Sequence, residues 1–195
     1  MFSGFCCRQY FREAGYEVET SAFINEKFWK IIYQKGNFFK KAFYTFSGYV
    51  SRLRDLLRLR RYDVVYVHLW VTPFGPPVFE WLFSKISKKI IYDIDDLVYL
   101  GDVKSKAHPV VNWIKGRKKP LFLMKHADHV VTCTPYLDQF VKKYNTHTTD
   151  ISSTINTEKY QPKQDYSSNE KIIIGWSGSH STSKYLHLLD DVFIE

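Results

Sequence analysis

Long apolar runs are missing from this 195-residue chain. None approaches the ~18–20 residues that a membrane span needs. The first residues also lack the charged start and long apolar core of a secretory leader. Cysteine is scarce. Cys6, Cys7 and Cys133 show no metal-ligand spacing, and the adjacent Cys6 and Cys7 are poor disulfide partners. Such usage suits a reducing compartment, where a buried thiol behaves as a small apolar group, so the chain reads as cytoplasmic. There is no GxGxxG, no P-loop lysine motif and no Ser-His-Asp or Cys-His order. These absences argue against dinucleotide oxidoreductases, P-loop NTPases and the common nucleophilic hydrolases.

Acidic residues are nearly absent from one stretch. Residues 27–61 hold ten Lys and Arg against the single acid Asp55, although the net charge of the whole chain is only +8. Nine aromatics, from Phe28 to Tyr49, interleave with those cations. Phe39, Phe43, Phe46, Val50, Leu53 and Leu57 recur at helical spacing, which predicts a helix with Arg52, Arg54 and Arg58 facing water. One reading packs the apolar stripe on a sheet and leaves the arginines solvated. Another lays the helix on anionic headgroups through those three arginines. Nucleic-acid binding is the weaker use of the same charge and is not expected.

Elsewhere short apolar runs alternate with helical patterns. Residues 8–14 read as a helix stopped by Gly15, and residues 16–23 as a strand. Residues 63–68, 89–92, 129–133 and, weakly, 150–154 are further strands. Residues 79–86, 121–126 and 136–144 are helices, the last opened by Thr134 as N-cap and Pro135 at the first helical position. The pattern predicts an α/β fold with a mostly parallel sheet covered on both faces. Ligands in such folds bind at the C-terminal ends of the strands. A doubly wound domain usually opens on a strand before its first glycine turn, and that strand is missing here.

Two of those strand ends carry candidate chemistry. His68 closes an apolar strand, where a neutral imidazole can donate to a sugar hydroxyl or take its proton; a bond to a neighbouring loop is the plainer alternative. Asp93 and Asp95 lie two apart and share one side of a strand. With Asp96 they can cap the next segment, contact a ligand, move a proton or hold a divalent cation. Trp70 and Phe74 can stack on a sugar ring or cover the core. No bound metal and no resident cofactor is expected.

Residues 171–182, KIIIGWSGSHST, form a third site. A β-branched run, then Gly175 and Gly178 among serines, then a helix through residues 185–189 capped by Ser181 or Thr182 would make a phosphate cradle. Only 13 residues follow Thr182, so the sequence reads as a fragment. It would hold a domain over residues 1–156, a polar linker over 157–170, and the start of a second domain over 171–195.

Four blocks together resemble the family 4 retaining glycosyltransferases of the GT-B fold. They are YDVVYVH with PFGPPVFEW; KIIYDIDDLVYL; ADHVVTCTPYLDQFVKKY with the later INTEKYQP; and IIIGWSGSHSTSKYL. They span most of residues 62–186, and the second is similar to a subgroup acting on cell-envelope polysaccharides. The resemblance implies two Rossmann-like domains, here an acceptor-side domain without its first strand plus the first strand, turn and helix of the donor domain. It implies an enzyme that moves a sugar from a nucleotide-sugar donor to a glycan or lipid-linked acceptor, at the inner face of the membrane, with the 195-residue chain alone expected to be inactive. By the resemblance Asp95 and Asp96 would lie near the transferred sugar and join His68, read from its strand end, as the catalytic residues, and Gly178, Ser179, Ser181 and Thr182 would line the donor diphosphate. The chain departs from the family pattern in two ways: Ser153-Thr154 stands where a proline is common, and the paired glutamates of the donor domain are absent. The Asp-x-Asp pair invites comparison with the metal-dependent GT-A class, but a polar linker before a fresh strand and turn favours GT-B. The rival expectation is a non-catalytic α/β module that binds a membrane surface or a partner through its basic aromatic helix.

Overall fold

Val, Ile and Tyr favour extended backbone because their side chains pack well on a pleated surface, and four short runs of the chain use this. The computed structural model describes residues 10–96, 113, 116–152, 157, 158, 160–162, 175, 176, 178 and 183–194. It divides into two compact units, Met1–Thr154 and Ile155–Glu195. In the first unit β1 (Val65–His68), β2 (Ile90–Ile94), β3 (His129–Thr132) and β4 (Thr148–Asp150) form an all-parallel sheet in the order β1-β2-β3-β4. This is an α/β, Rossmann-like arrangement.

Around the sheet lie α1 (Glu26–Ile32), α2 (Phe38–Arg58), α3 (Val78–Ile86), α4 (Lys119–His126) and α5 (Pro135–Val141). Asn25 caps α1 by accepting from the Phe28 amide. Thr134 caps α5 by accepting from Leu137, with Pro135 in the first turn as its missing N–H allows. At the far end of α4, Asn145 donates to the carbonyls of Met124 and Ala127 and so ties the helix end to the loop before β4.

Consecutive strands are neighbours, so right-handed crossovers return on the same side each time. The core has accordingly one side. Val67, Ile90, Tyr92, Ile94 and Val130 pack with Leu59 beyond α2, Phe83 of α3, Leu123 and Met124 of α4, and Leu137 and Val141 of α5. Register places Tyr66, His68, Ile91, Asp93, His129, Val131 and Thr149 on the opposite face. There none is fully buried and Tyr66 is half exposed. Cover on both faces, expected from the alternation of strands and helices, is therefore corrected among the described residues.

Other expectations also shift. The helical turn at residues 10–13 does stop at Gly15, whose φ is +85°. Residues 16–22, however, form no strand. Ser21 and Phe23 are instead held against α2, Ser21 by Arg52 and Phe23 by packing on Gly48. The weak last strand lies two residues earlier than expected, because its partner β3 ends where Thr134 opens α5.

The orientation of α2 is the largest correction. Its apolar stripe faces solvent: Phe39, Phe43, Phe46, Leu53 and Leu57 are all exposed. Arg52, expected to face water, is 7% exposed. Its Nε donates to the Val71 carbonyl at 3.0 Å, its other nitrogens reach the Ser21 hydroxyl and carbonyl, and it pairs with Asp55. A planar guanidinium can satisfy several acceptors at once, so Arg52 braces three segments and is not a surface residue. Arg54 is exposed, and Arg58 is exposed with Glu19 at 3.4 Å.

Gly48 sits where α2 meets the Phe23 ring, and a Cβ there would lie 2.8 Å from the ring atoms. Glycine inside a helix normally costs about 1 kcal/mol relative to alanine. Here the sign reverses. Gly48→Ala is expected to destabilise the unit by about 1–3 kcal/mol through overpacking, and urea unfolding of the two proteins side by side measures it.

In the second unit Ser183–Leu189 is a 3-10 helix rather than the α-helix expected over residues 185–189, and a short α6 (Asp190–Ile194) follows it. His187 lies 3.0 Å from Asp190 at that junction. Among the described residues no helix is long and apolar enough to cross a membrane.

Candidate functional site

The parallel register of β1 and β2 sets His68 directly beside Asp93. Both side chains leave the sheet on the face opposite the packed core, at the C-terminal ends of the strands. His68 Nδ1 is 2.9 Å from Asp93 Oδ2, and His68 Nε2 is 3.6 Å from Asp95 Oδ2. A carboxylate only accepts, so Asp93 requires the proton on Nδ1. In the neutral imidazole Nε2 is then left with its lone pair directed away from Asp93. Two groups expected from the sequence, His68 and Asp95, thus come together. Asp93 is the orienting third member, whereas Asp96 is exposed and lies outside the cluster.

The backbone around the site is held by neighbours. Leu69 adopts a left-handed conformation at φ 62°, a strained choice for a bulky residue. Its amide donates to the Asp93 carbonyl, and its own carbonyl accepts from the buried Tyr92 hydroxyl at 2.8 Å. Burial raises the Tyr92 pKa, which keeps that hydroxyl a donor. From the end of β3, the Cys133 thiol donates to the Asp95 carbonyl at 2.7 Å. Burial, with Asp95 and Asp96 nearby, pushes the Cys133 thiol up, so it stays a donor rather than a nucleophile.

The loop after His68 is pinned from beneath. The Lys119 ammonium donates to the carbonyls of Thr72 and Phe74, each at 2.8 Å, and to the Thr72 hydroxyl. It lies 3.4 Å from Glu80 Oε1, which in turn accepts from the Thr72 amide. Both charges are fully buried. Gly75 turns the loop at φ +80° and approaches Gly116 so closely that a Cβ on Gly116 would meet its carbonyl at 2.9 Å. Trp70 and Phe74 are exposed on this loop rather than covering the core.

No local pattern pairs Lys119 with Glu80, because the two lie 39 positions apart and the PFGPPVFEW block that holds Glu80 does not reach Lys119. Cys133 was legible only as an ordinary thiol. His126 and His129 have partners of their own: His126 stacks on Phe122 and His129 bonds Thr149.

A scan of protein-family models, a search of curated proteins and a search of solved structures each find no match to this chain. The geometry therefore carries the reading.

A cation would find one nitrogen and two carboxylates within 4.8 Å of one another at His68, Asp93 and Asp95. The arrangement is that of an imidazole oriented by one carboxylate and flanked by another, the pattern of an activated base. The Asp93 hydrogen bond raises the His68 pKa, against an opposing effect of partial burial. A raised native pKa means the folded state holds the proton more tightly. Its contribution to stability is complete below the unfolded value of about 6.5 and is lost as pH rises through the native pKa. NMR titration of the imidazole is expected to give a midpoint above that value, falling in Asp93→Asn. An unchanged midpoint in the variant would remove Asp93 from the account.

Of the expected donor contacts only Gly178 is described; Ser179, Ser181 and Thr182 lie outside the described residues, as do residues 171–174. A Cβ on Gly178 would come within 2.3 Å of the Trp176 indole, so glycine admits the ring there.

Proposed function

We propose that this chain serves a glycosyltransferase that moves a sugar from a nucleoside-diphosphate donor to a hydroxyl of a glycan or lipid-linked acceptor in cell-envelope polysaccharide synthesis. The observation that carries the reading is the His68–Asp93 pair, with Asp95 beside it, at the C-terminal ends of adjacent parallel strands. The four sequence blocks that resemble family 4 glycosyltransferases support it.

In this reading His68 Nε2 takes the proton of the acceptor hydroxyl. The oxygen forms the new bond to the anomeric carbon on the face from which the diphosphate departs, as retention requires, and the bond from that carbon to the diphosphate breaks, its electron pair leaving with the nucleoside diphosphate. Asp93 holds the imidazole in the tautomer that can accept, and stabilises the imidazolium that results. Asp95 adds negative charge beside it. Trp70 and Phe74 offer apolar faces on which a sugar ring stacks. The same resemblance assigns the donor diphosphate to the second unit, at Gly178, and the reaction to the cytoplasm.

The test is to incubate the gene product with a panel of nucleoside-diphosphate sugars and a glycolipid extract, and to follow release of nucleoside diphosphate. Release that depends on both donor and acceptor supports the reading. A folded gene product that includes the donor domain and consumes no member of the panel contradicts it.

A further inference from the structure

The outward face of α2 is built for something other than water. Phe39 and Leu57 are 86% and 85% exposed, and Phe43, Phe46 and Leu53 continue the stripe between them at more than half exposure. Three phenylalanines of roughly 200 Å² each, largely uncovered, already approach the largest apolar patch of an ordinary soluble monomer, about 300–600 Å². On the neighbouring α1, Trp29 and Tyr33 form an edge-to-face pair and are exposed as well. These are side chains suited to the boundary between headgroups and acyl chains.

Charge selects the occupant. Lys40, Arg54 and Arg58 line one flank of the stripe, and all three are exposed. The one acid of α2, Asp55, is turned inward onto Arg52. Of these three cations Glu19 approaches Arg58, at 3.4 Å, and it also accepts from the Tyr62 hydroxyl. A second copy of the chain would meet this row of cations with the same row and no acid on the helix face. A layer of anionic headgroups over acyl chains supplies both the missing charge and the apolar cover.

We propose that α2 docks this protein on anionic phospholipid surfaces, with Phe39, Phe43, Phe46, Leu53 and Leu57 entering the headgroup boundary and Lys40 and Arg54 pairing with lipid phosphates. Arg52, buried in the fold, takes no part. The surface is separate from the His68 site and does not depend on the sugar-transfer reading.

Co-sedimentation with vesicles tests it, using phosphatidylcholine alone and phosphatidylcholine with about one third phosphatidylglycerol. Wild-type protein is expected to bind the anionic vesicles about tenfold more tightly than the neutral ones, and to lose that preference at high salt. The Phe39→Ser, Phe43→Ser pair should lower binding about tenfold with no fall in melting temperature, since neither ring is buried. The Lys40→Glu, Arg54→Glu pair should abolish the preference for anionic lipid. His68→Ala should bind as wild type does, which separates this result from failure of the transferase reading. Equal binding to both vesicles, or none, overturns the proposal. So does a dimer in solution that the phenylalanine pair dissolves, which would assign the face to a second copy.

Discussion

Replacing His68 by alanine is expected to slow sugar transfer by about 10²–10⁴, the range in which a positioned acid–base group acts. Its side chain is half-buried, and its Nδ1 is held at 2.9 Å by Asp93 while Nε2 lies 3.6 Å from Asp95 on the face opposite the core. Removing the ring leaves the fold's apolar contacts in place, because His68 lies opposite the packed face that holds Val67 and Tyr92. The loss should therefore appear in kcat, with little change in melting temperature. Asp93→Asn is the more telling variant. An amide can still bond Nδ1, but it supplies no charge to the imidazolium, so the rate falls by less than in His68→Ala and its pH dependence moves. A His68→Ala enzyme as fast as wild type would take His68 out of the chemistry.

The second large effect concerns stability. Lys119→Met is expected to cost about 3–5 kcal/mol, because it leaves the Glu80 carboxylate buried without its cation. Glu80 has little else to fall back on: Oε1 takes the Thr72 amide, and Oε2 has no hydrogen-bond partner among the described residues. The carbonyls of Thr72 and Phe74 lose their donor in the same step. Burial lowers the Lys119 pKa, a sign that the ammonium itself bears a desolvation cost. The pair is thus costly to make and costlier to halve. Changing both residues, as Lys119→Met with Glu80→Leu, should cost less than Lys119→Met alone, since no lone charge remains buried. Thermal unfolding reads both, a drop on the order of 10 °C for the single variant. A single variant within about 0.5 kcal/mol of wild type would contradict the account, that being the range of an ordinary surface change. The consequence reaches the site, because the loop held by Lys119 is the one that carries Trp70 and Phe74.

What could be read in the sequence follows from how far each signal reaches. The strands ending at His68 and in the Asp93–Asp95 run were legible because a β-branched run needs only its own residues to declare itself. So was the start of α5, where Thr134 and Pro135 are adjacent. The two-residue spacing of Asp93 and Asp95 put both on one side, and the structure turns both toward His68. That Asp93 is the closer partner depends on the register of β1 with β2, which no local pattern encodes. Helical periodicity in α2 separated two faces but could not say which one turns inward. The choice fell to Arg52, whose acceptors at Val71 and Ser21 lie 19 and 31 residues away. Lys119 and Glu80 were silent for the same reason. One-sided cover of the sheet is a property of strand order, which alternation alone leaves open.

The most direct measurement is the pH profile of acceptor-dependent nucleoside-diphosphate release, set beside the NMR titration of His68 in the same protein. The account predicts a rate that rises with pH along a limb whose midpoint matches that of His68, with both midpoints lower in Asp93→Asn. A limb that ignores the imidazole midpoint, or one that stays in place when Asp93 is changed, would contradict it.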